Sequence, residues 1–163
     1  MVGDVHAKLP PARLYAANGL QFLPFTTIYQ LAAEPSLDAG MQALLIPDLL
    51  GYWLTGVRVA EQTNASTTGL LDARSGDWAP HLVETLGFPP GLLPEVVPAG
   101  RVVGEVSGPV LAEVGLDQEL VLTTVGSHDT ASAVVGSPPT APGSGMSPAV
   151  PGDWSASSST RRY

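Results

Sequence analysis

The sequence predicts a single α/β domain, and three observations support this prediction. Its 163 residues, 44% of them hydrophobic and 13% charged, are enough for one hydrophobic core. In the first ninety residues apolar side chains recur at helical spacing, as with Phe25, Ile28 and Leu31. From Val102 onward the pattern changes to short apolar and β-branched runs, which are typical of strands alternating with helices.

The first half of the chain predicts mostly helices. Residues 1–14 contain two prolines and little apolar periodicity, so they are predicted to be a connecting segment. A helix is predicted over 24–34, because a proline suits its first turn and another proline follows it. A second helix is predicted over 47–55, with most of it in the core, and a third over 78–86. The proline-rich residues 88–100 are predicted to be a surface connection.

Residues 61–72 and 102–136 are predicted to contain turns, short strands and short helices. Residues 61–72 are rich in Thr, Ser and Asn, which favours helix caps and turns. Residues 102–106 predict a weak strand, and 109–115 predict a short helix that ends at a glycine. The β-branched run at 119–126 is typical of a strand buried in a sheet, and the small residues of 130–136 favour a closely packed helix.

The candidate site lies where the last predicted strand meets the last predicted helix. The chain passes there through Gly126, Ser127, His128 and Asp129. Such junctions bind ligands in open α/β sheets, because strand ends and helix N-termini direct polar groups into one crevice. Asp129 could accept a proton from an attacking alcohol, and His128 could donate a hydrogen bond to a substrate hydroxyl.

Simpler interpretations of these two residues remain open at this stage. Asp129 could cap the following helix, and His128 could be a structural hydrogen-bonding residue. A catalytic triad is not indicated, because Ser127, His128 and Asp129 are consecutive and no GxSxG motif is present. The three histidines lack metal-ligand spacing, so no metal-binding residue is predicted.

Composition excludes several classes of function. A formal net charge of −8 argues against binding to a phosphate backbone, so no nucleic-acid partner is expected. The absence of Cys excludes disulfide frameworks and thiolate nucleophiles. The only lysine is Lys8, so the sequence contains no GxxxxGK[ST] phosphate loop. Because no apolar run has the length of a membrane span and the first residues lack signal-peptide layout, we expect a cytoplasmic protein without a membrane partner.

Four strings of residues stand out along the chain: LYAANGLQFLPFTTIYQL (14–31), ALLIPDLLGYWLTG (43–56), EQTNASTTGLLDARSGDW (61–78) and TVGSHDTASAVVG (124–136). Together they resemble the FGGY family of carbohydrate kinases, and within it the members that phosphorylate L-rhamnulose. The resemblance extends from about residue 4 to residue 136.

The resemblance implies a fold and an activity. Residues 1–136 would form the later part of a ribonuclease-H-like domain of the actin-like ATPase and sugar kinase type. The family transfers the γ-phosphate of ATP to a sugar hydroxyl with Mg²⁺. By resemblance, Asp129 is the catalytic proton acceptor and His128 contacts the sugar. The family's phosphate-binding turn and second domain have no counterpart here, so we expect this chain to bind neither ATP nor Mg²⁺ and not to turn over alone.

Two alternatives to an inactive kinase segment remain. The chain could keep weak sugar binding through His128 and Asp129, helped by polar groups such as Asn18 and Gln21. It could instead be a noncatalytic interaction module that uses its acidic surface and its C-terminal segment. The sequence leaves its oligomeric state open.

The C-terminal segment, residues 137–163, predicts a disordered tail. It contains seven Ser, five Pro and three Gly and has no Leu, Ile or Phe. When the codons of residues 143–162 are read in the frame that starts at each third base, the permitted translations include FGYVSSGTWGLVGVELDAPV. This string resembles the next motif of the same family, so we interpret the tail as a frameshift product.

The frameshift interpretation predicts a result at the level of the coding DNA. Resequencing across codons 136 to 163 and beyond should show that a single-base correction opens a frame containing SSGTW. The interpretation is wrong if neither adding nor removing one base restores that string.

Overall fold

The computed structural model describes residues 2–136. The predictions of a disordered tail and of a frameshift concern residues 137–163, which lie outside the described residues. The mixed composition of helices and strands confirms the α/β prediction. In chain order, the elements are α1 (Val2–Lys8), α2 (Pro11–Asn18), α3 (Thr27–Ala33), α4 (Ile46–Thr55), β1 (Val59–Glu61), α5 (Gln62–Ala65), a 3₁₀ turn (Ser66–Thr68), α6 (Pro80–Leu86), β2 (Glu95–Val97), β3 (Val102–Glu105), α7 (Gly108–Glu113), β4 (Val121–Thr123) and α8 (Asp129–Gly136).

The predicted connecting segment at 1–14 is wrong, because it forms helix α1 and the first half of helix α2. Val5 of α1 and Leu9, the residue after its end, are both buried with Leu14, and the N–H of Leu9 donates to the carbonyl of Val5 at 2.7 Å. Pro10 precedes α2 and Pro11 occupies its first turn, so the two prolines separate the helices without preventing either. Tertiary packing against α3 and α6 stabilises α1, which is too short to be stable alone.

The main core lies among α1, α2, α3 and α6. Its buried members are Val5, Leu9, Leu14, Ala17, Ile28, Tyr29, Leu70, Ala79, Leu82, Phe88 and Leu92. Gly69 lets the turn before Leu70 approach α3 closely. It has a φ of +81°, and a Cβ at this position would lie only 2.9 Å from Cγ2 of Ile28.

Helix α4 forms as predicted, with a proline in its first turn and Gly56 in the left-handed conformation after its end. The expectation that it lies mostly in the core is wrong. Ile46, Leu50 and Trp53 are 69%, 50% and 62% exposed, and Asp48 is the buried residue of the helix. The helix directs its Asp48 side toward β1, and its apolar side is left open by the described residues 2–136.

The strands form two separate pairs among the described residues. Strands β1 and β2 are parallel, with Val59 opposite Glu95 and Glu61 opposite Val97. Neither strand was predicted, because three residues are too few to show a period of two. Strands β3 and β4 are antiparallel. The expectation of a buried β4 is wrong, since Val121 is 57% exposed and a two-stranded pair covers little of its own surface.

Helices α3, α6, α7 and α8 form near their predicted positions. The close packing expected for α8 is wrong, because none of its residues is buried. Among residues 2–136, no helix is long and apolar enough to cross a membrane.

The core position of α6 predicts a large difference between two leucines. Leu82→Ala should lower the free energy of unfolding by about 3 kcal/mol, because Leu82 is fully buried. Leu50→Ala, at a half-exposed position on α4, should change it by about 0.5 kcal/mol or less. Urea unfolding of both variants measures this difference, and equal losses would contradict the described core.

Candidate functional site

A buried glutamate joins two segments that are far apart in the sequence. Glu61 ends strand β1, and its side chain is only 2% exposed. Its Oε2 accepts hydrogen bonds from the backbone N–H of Ser127 at 3.1 Å and from Ser127 Oγ at 2.8 Å. The strand β1 is thereby connected to the loop that follows β4.

The same carboxylate caps helix α5. Oε1 of Glu61 accepts from the N–H of Thr63 at 3.0 Å, and Oε2 accepts from Thr63 Oγ1 at 2.5 Å and from the N–H of Asn64 at 3.2 Å. Burial raises the pKa of Glu61, but the hydrogen bonds from Thr63 and Ser127 outweigh burial, so its pKa lies below the ordinary value. The carboxylate is therefore ionised at neutral pH.

A second buried acid supports the end of β1. Asp48 of helix α4 is 7% exposed, and its Oδ1 accepts a hydrogen bond from the N–H of Glu61 at 3.1 Å. Its Oδ2 is buried without a hydrogen-bond partner among the described residues. Burial raises the pKa of Asp48 to about 6, the N–H of Glu61 acts against this rise, and the Glu61 charge adds to it.

The two candidate site residues lie directly after this connection. The N–H of His128 donates to Thr63 Oγ1 at 3.3 Å, and the carbonyl of His128 accepts from the N–H of Ser132 at 3.0 Å. His128 is half-buried, and Asp129 is exposed. The structure thus has the predicted order of strand β4, tight loop and helix α8 at this site.

Asp129 is the first residue of helix α8 rather than the residue that precedes it. Its Oδ1 accepts hydrogen bonds from the N–H of Thr130 at 2.6 Å and from Thr130 Oγ1 at 3.2 Å. These contacts are local, and they leave the exposed carboxylate accessible from solvent.

One cavity of the described structure is lined by Ser127 of this loop, and a second cavity is not lined by the loop. A cavity of about 180 Å³ is lined by Asp48, Glu61 and Ser127 together with apolar residues of α4 and β4. A separate cavity of about 320 Å³ is lined by Asn18 and Gln21, among others, and neither His128 nor Asp129 lines it. Asn18 and Gln21 therefore line a different cavity from the one beside Ser127.

Sequence reasoning missed Glu61, Thr63 and Asp48. A local signal for Glu61 exists, because an acid directly before QTN is a pattern of a helix N-cap. No local signal indicates that Ser127 is its second partner. Within 2–136, no three or more His, Asp and Glu side chains form a group that could hold a metal ion.

Residues 2–136 match the model of the N-terminal domain of the FGGY family of carbohydrate kinases. The rhamnulokinase of Enterococcus faecalis is 44% identical over 128 residues, which are 77% of this chain and 26% of that protein. The rhamnulokinase of Pectobacterium carotovorum is 42% identical over 143 residues, which are 85% of this chain and 28% of that protein. The chain thus spans less than a third of the length of these relatives.

Solved structures share the fold at lower identity. A xylulose kinase from Rhodospirillum rubrum is similar with a TM-score of 0.70 and 24% identity, over 83% of this chain and 29% of that one. The Plasmodium falciparum glycerol kinase with ADP gives a TM-score of 0.68 and 19% identity, over 82% of this chain and 28% of that one. These similarities show that the described residues share the fold of the corresponding part of these kinases.

The raised pKa of Asp48 predicts a pH dependence of stability. With a pKa of about 6 in the folded state and an ordinary value of 3.8, folded Asp48 binds more protons in this window. Stability therefore falls as pH rises from 4.5 to 7. Asp48→Asn keeps an acceptor for the N–H of Glu61 but cannot titrate. The free energy of unfolding of this variant should therefore decrease by about 2 kcal/mol less than that of the wild type between pH 4.5 and 7.

Urea unfolding at several pH values between 4.5 and 7 measures the effect. Glu61, whose pKa is lowered, changes stability mainly below this window. Asp38→Asn, at an exposed position, is the matched control and should keep the wild-type slope. An unchanged slope in Asp48→Asn would show that Asp48 is ionised throughout.

Proposed function

Because the chain belongs to the FGGY family of carbohydrate kinases, we propose that it supplies the general base and a sugar contact for phosphorylation of L-rhamnulose. In this proposal Asp129 accepts the proton of a sugar hydroxyl. The hydroxyl oxygen attacks the γ-phosphorus of ATP, and the bond to ADP breaks. Residues 1–136 would form the later part of the N-terminal domain.

The observation that supports this proposal most directly is the placement of Asp129. Its carboxylate is exposed at the start of α8, while the backbone N–H groups of the two residues before it donate to the side chains of Glu61 and Thr63. A general base needs an accessible carboxylate whose position is fixed before the substrate arrives. The Asp129 carboxylate is accessible, and its backbone follows an anchored loop.

His128 is proposed as the sugar contact. Its backbone N–H donates to Thr63 Oγ1, and the residue, which is half-buried, directly precedes Asp129. An imidazole can donate one hydrogen bond and accept another, so it can orient a sugar hydroxyl toward the carboxylate. In this proposal both side chains face the same sugar hydroxyl when the substrate is bound, because a near-attack geometry needs the base and the orienting group at one reacting atom.

The choice of L-rhamnulose and ATP follows from the relatives. Two relatives that are 44% and 42% identical are named rhamnulokinases. A structural neighbour is a glycerol kinase with ADP. Mg²⁺ would neutralise charge on the transferred phosphoryl group, and we assign it to no residue of this chain, because residues 2–136 contain no suitable cluster.

We also propose that these 163 residues do not turn over alone. Phosphoryl transfer depends mainly on holding the phosphates among donors and metal, and a base contributes about 10²–10⁴-fold. The matched segment covers only 26% and 28% of the two rhamnulokinases. The nucleotide-binding groups would come from the remaining parts of a kinase.

A chimera tests this proposal. Residues 4–136 would replace the matching segment of the Enterococcus faecalis rhamnulokinase, and the product would be assayed with ATP, Mg²⁺ and L-rhamnulose. Asp129→Asn should lower kcat by about 10²-fold or more with a smaller change in KM, because only proton acceptance is lost. His128→Ala should act mainly by raising KM for the sugar.

The control in the chimera is Glu34→Gln, an exposed change outside the candidate site. The 163-residue chain assayed alone should give no sugar phosphate. Full activity of Asp129→Asn would exclude Asp129 as the base, and turnover by the chain alone would contradict the need for other kinase parts.

A further inference from the structure

We propose that Glu61 is the positioning residue of this site, which sets the place of Asp129 and His128 through two routes of hydrogen bonds. The proposal rests on the proposed function for the roles of Asp129 and His128. Glu61 itself is buried at the end of β1 and contacts the loop before Asp129, so it acts through that loop.

The first route goes directly to Ser127. The Glu61 carboxylate accepts from both the backbone N–H and the hydroxyl of Ser127, at 3.1 and 2.8 Å. Ser127 is two residues before Asp129, so these contacts fix the backbone just ahead of helix α8. A backbone donor and a side-chain donor on one acceptor restrain both the position and the orientation of the loop.

The second route passes through Thr63. Thr63 Oγ1 donates its proton to Glu61 Oε2 at 2.5 Å, so its free lone pairs are available as acceptors. The N–H of His128 donates to this same oxygen at 3.3 Å. The backbone N–H groups of both residues before Asp129 therefore depend on one carboxylate.

Apolar burial contributes little to this restraint among the described residues 2–136. None of the residues of α8 is buried, and Ala131 and Val134 are only partly covered. Ser132 Oγ donates to the carbonyl of Gly126 at 2.6 Å, but this contact joins the loop only to its own helix. The contacts of Glu61 and Thr63 join the loop to β1 and α5.

The chemistry of the contacts requires a carboxylate rather than an amide. Oε2 of Glu61 receives four donors, and Oε1 receives a fifth. A glutamine has one acceptor oxygen, and its NH₂ group can only donate. Glu61→Gln would therefore place donors against donors on one side of the residue while leaving its size almost unchanged.

The experiment is amide NMR on the 163-residue chain, comparing wild type with Glu61→Gln. The amides of Ser127 and His128 should exchange with solvent at least tenfold faster in the variant. The backbone N–H of Thr130 donates to Oδ1 of Asp129 with an N···O distance of 2.6 Å, so its amide resonance reports the placement of Asp129. It should shift in Glu61→Gln, whereas the amide signals of the main core should not.

Glu34→Gln is the matched control, because Glu34 accepts from the N–H and hydroxyl of Ser36, two residues on, as Glu61 does from Thr63. It is exposed and should leave Ser127, His128 and Thr130 unchanged. The proposal is overturned if folded Glu61→Gln leaves these three amides unchanged, or if Glu34→Gln moves them equally.

If Glu61→Gln does not fold, the Ser127→Ala variant tests the proposal instead. It removes the 2.8 Å hydrogen bond from the Ser127 hydroxyl to Glu61 and keeps the one from the backbone N–H. The Thr130 amide resonance should then shift by less than is expected for Glu61→Gln, and no shift at all would overturn the proposal. None of these measurements uses sugar or ATP. If Asp129→Asn keeps full activity in the chimera, Asp129 loses its proposed catalytic role. The NMR result on the anchoring of the loop by Glu61 would still stand.

Discussion

A carboxylate that is taken out of water needs hydrogen-bond donors around it, and the site of this protein is built on that requirement. Glu61 is almost completely buried, and its neighbours provide backbone and hydroxyl donors from two parts of the chain. An isolated buried charge would be too costly to keep, so the fold is constrained to bring Ser127 to the end of β1. The position of the loop before Asp129 is therefore set by the hydrogen bonds that Ser127 donates to the Glu61 carboxylate.

Asp48, the second buried acid, has a pKa shifted in the opposite direction to that of Glu61. Asp48 receives one backbone hydrogen bond, and one of its oxygens has no partner among the described residues. With few donors, burial dominates and its pKa rises to about 6, whereas many donors lower the pKa of Glu61. The pKa values of two neighbouring carboxyls therefore move in opposite directions because their hydrogen bonding differs.

The fold combines a well-packed helical part with a more open part that carries the site. The core among α1, α2, α3 and α6 includes fully buried residues such as Leu70 and Leu82. The antiparallel pair of β3 and β4 and the apolar side of α4 are largely exposed in the described residues. The site consequently depends on directed polar contacts, and these specify geometry over a short range where apolar packing is sparse.

Local sequence determined the element types wherever a long periodic pattern or a clear boundary was present, as in α4 with its proline start and glycine end. It also determined the strand, loop and helix order around Asp129. It misjudged residues 1–14, since prolines indicate breaks but not whether the flanking turns pack, and it missed the three-residue strands β1 and β2. Only the tertiary structure decided that Glu61 meets Ser127, because a contact across 66 residues depends on how β1 and β4 are placed and leaves no local pattern.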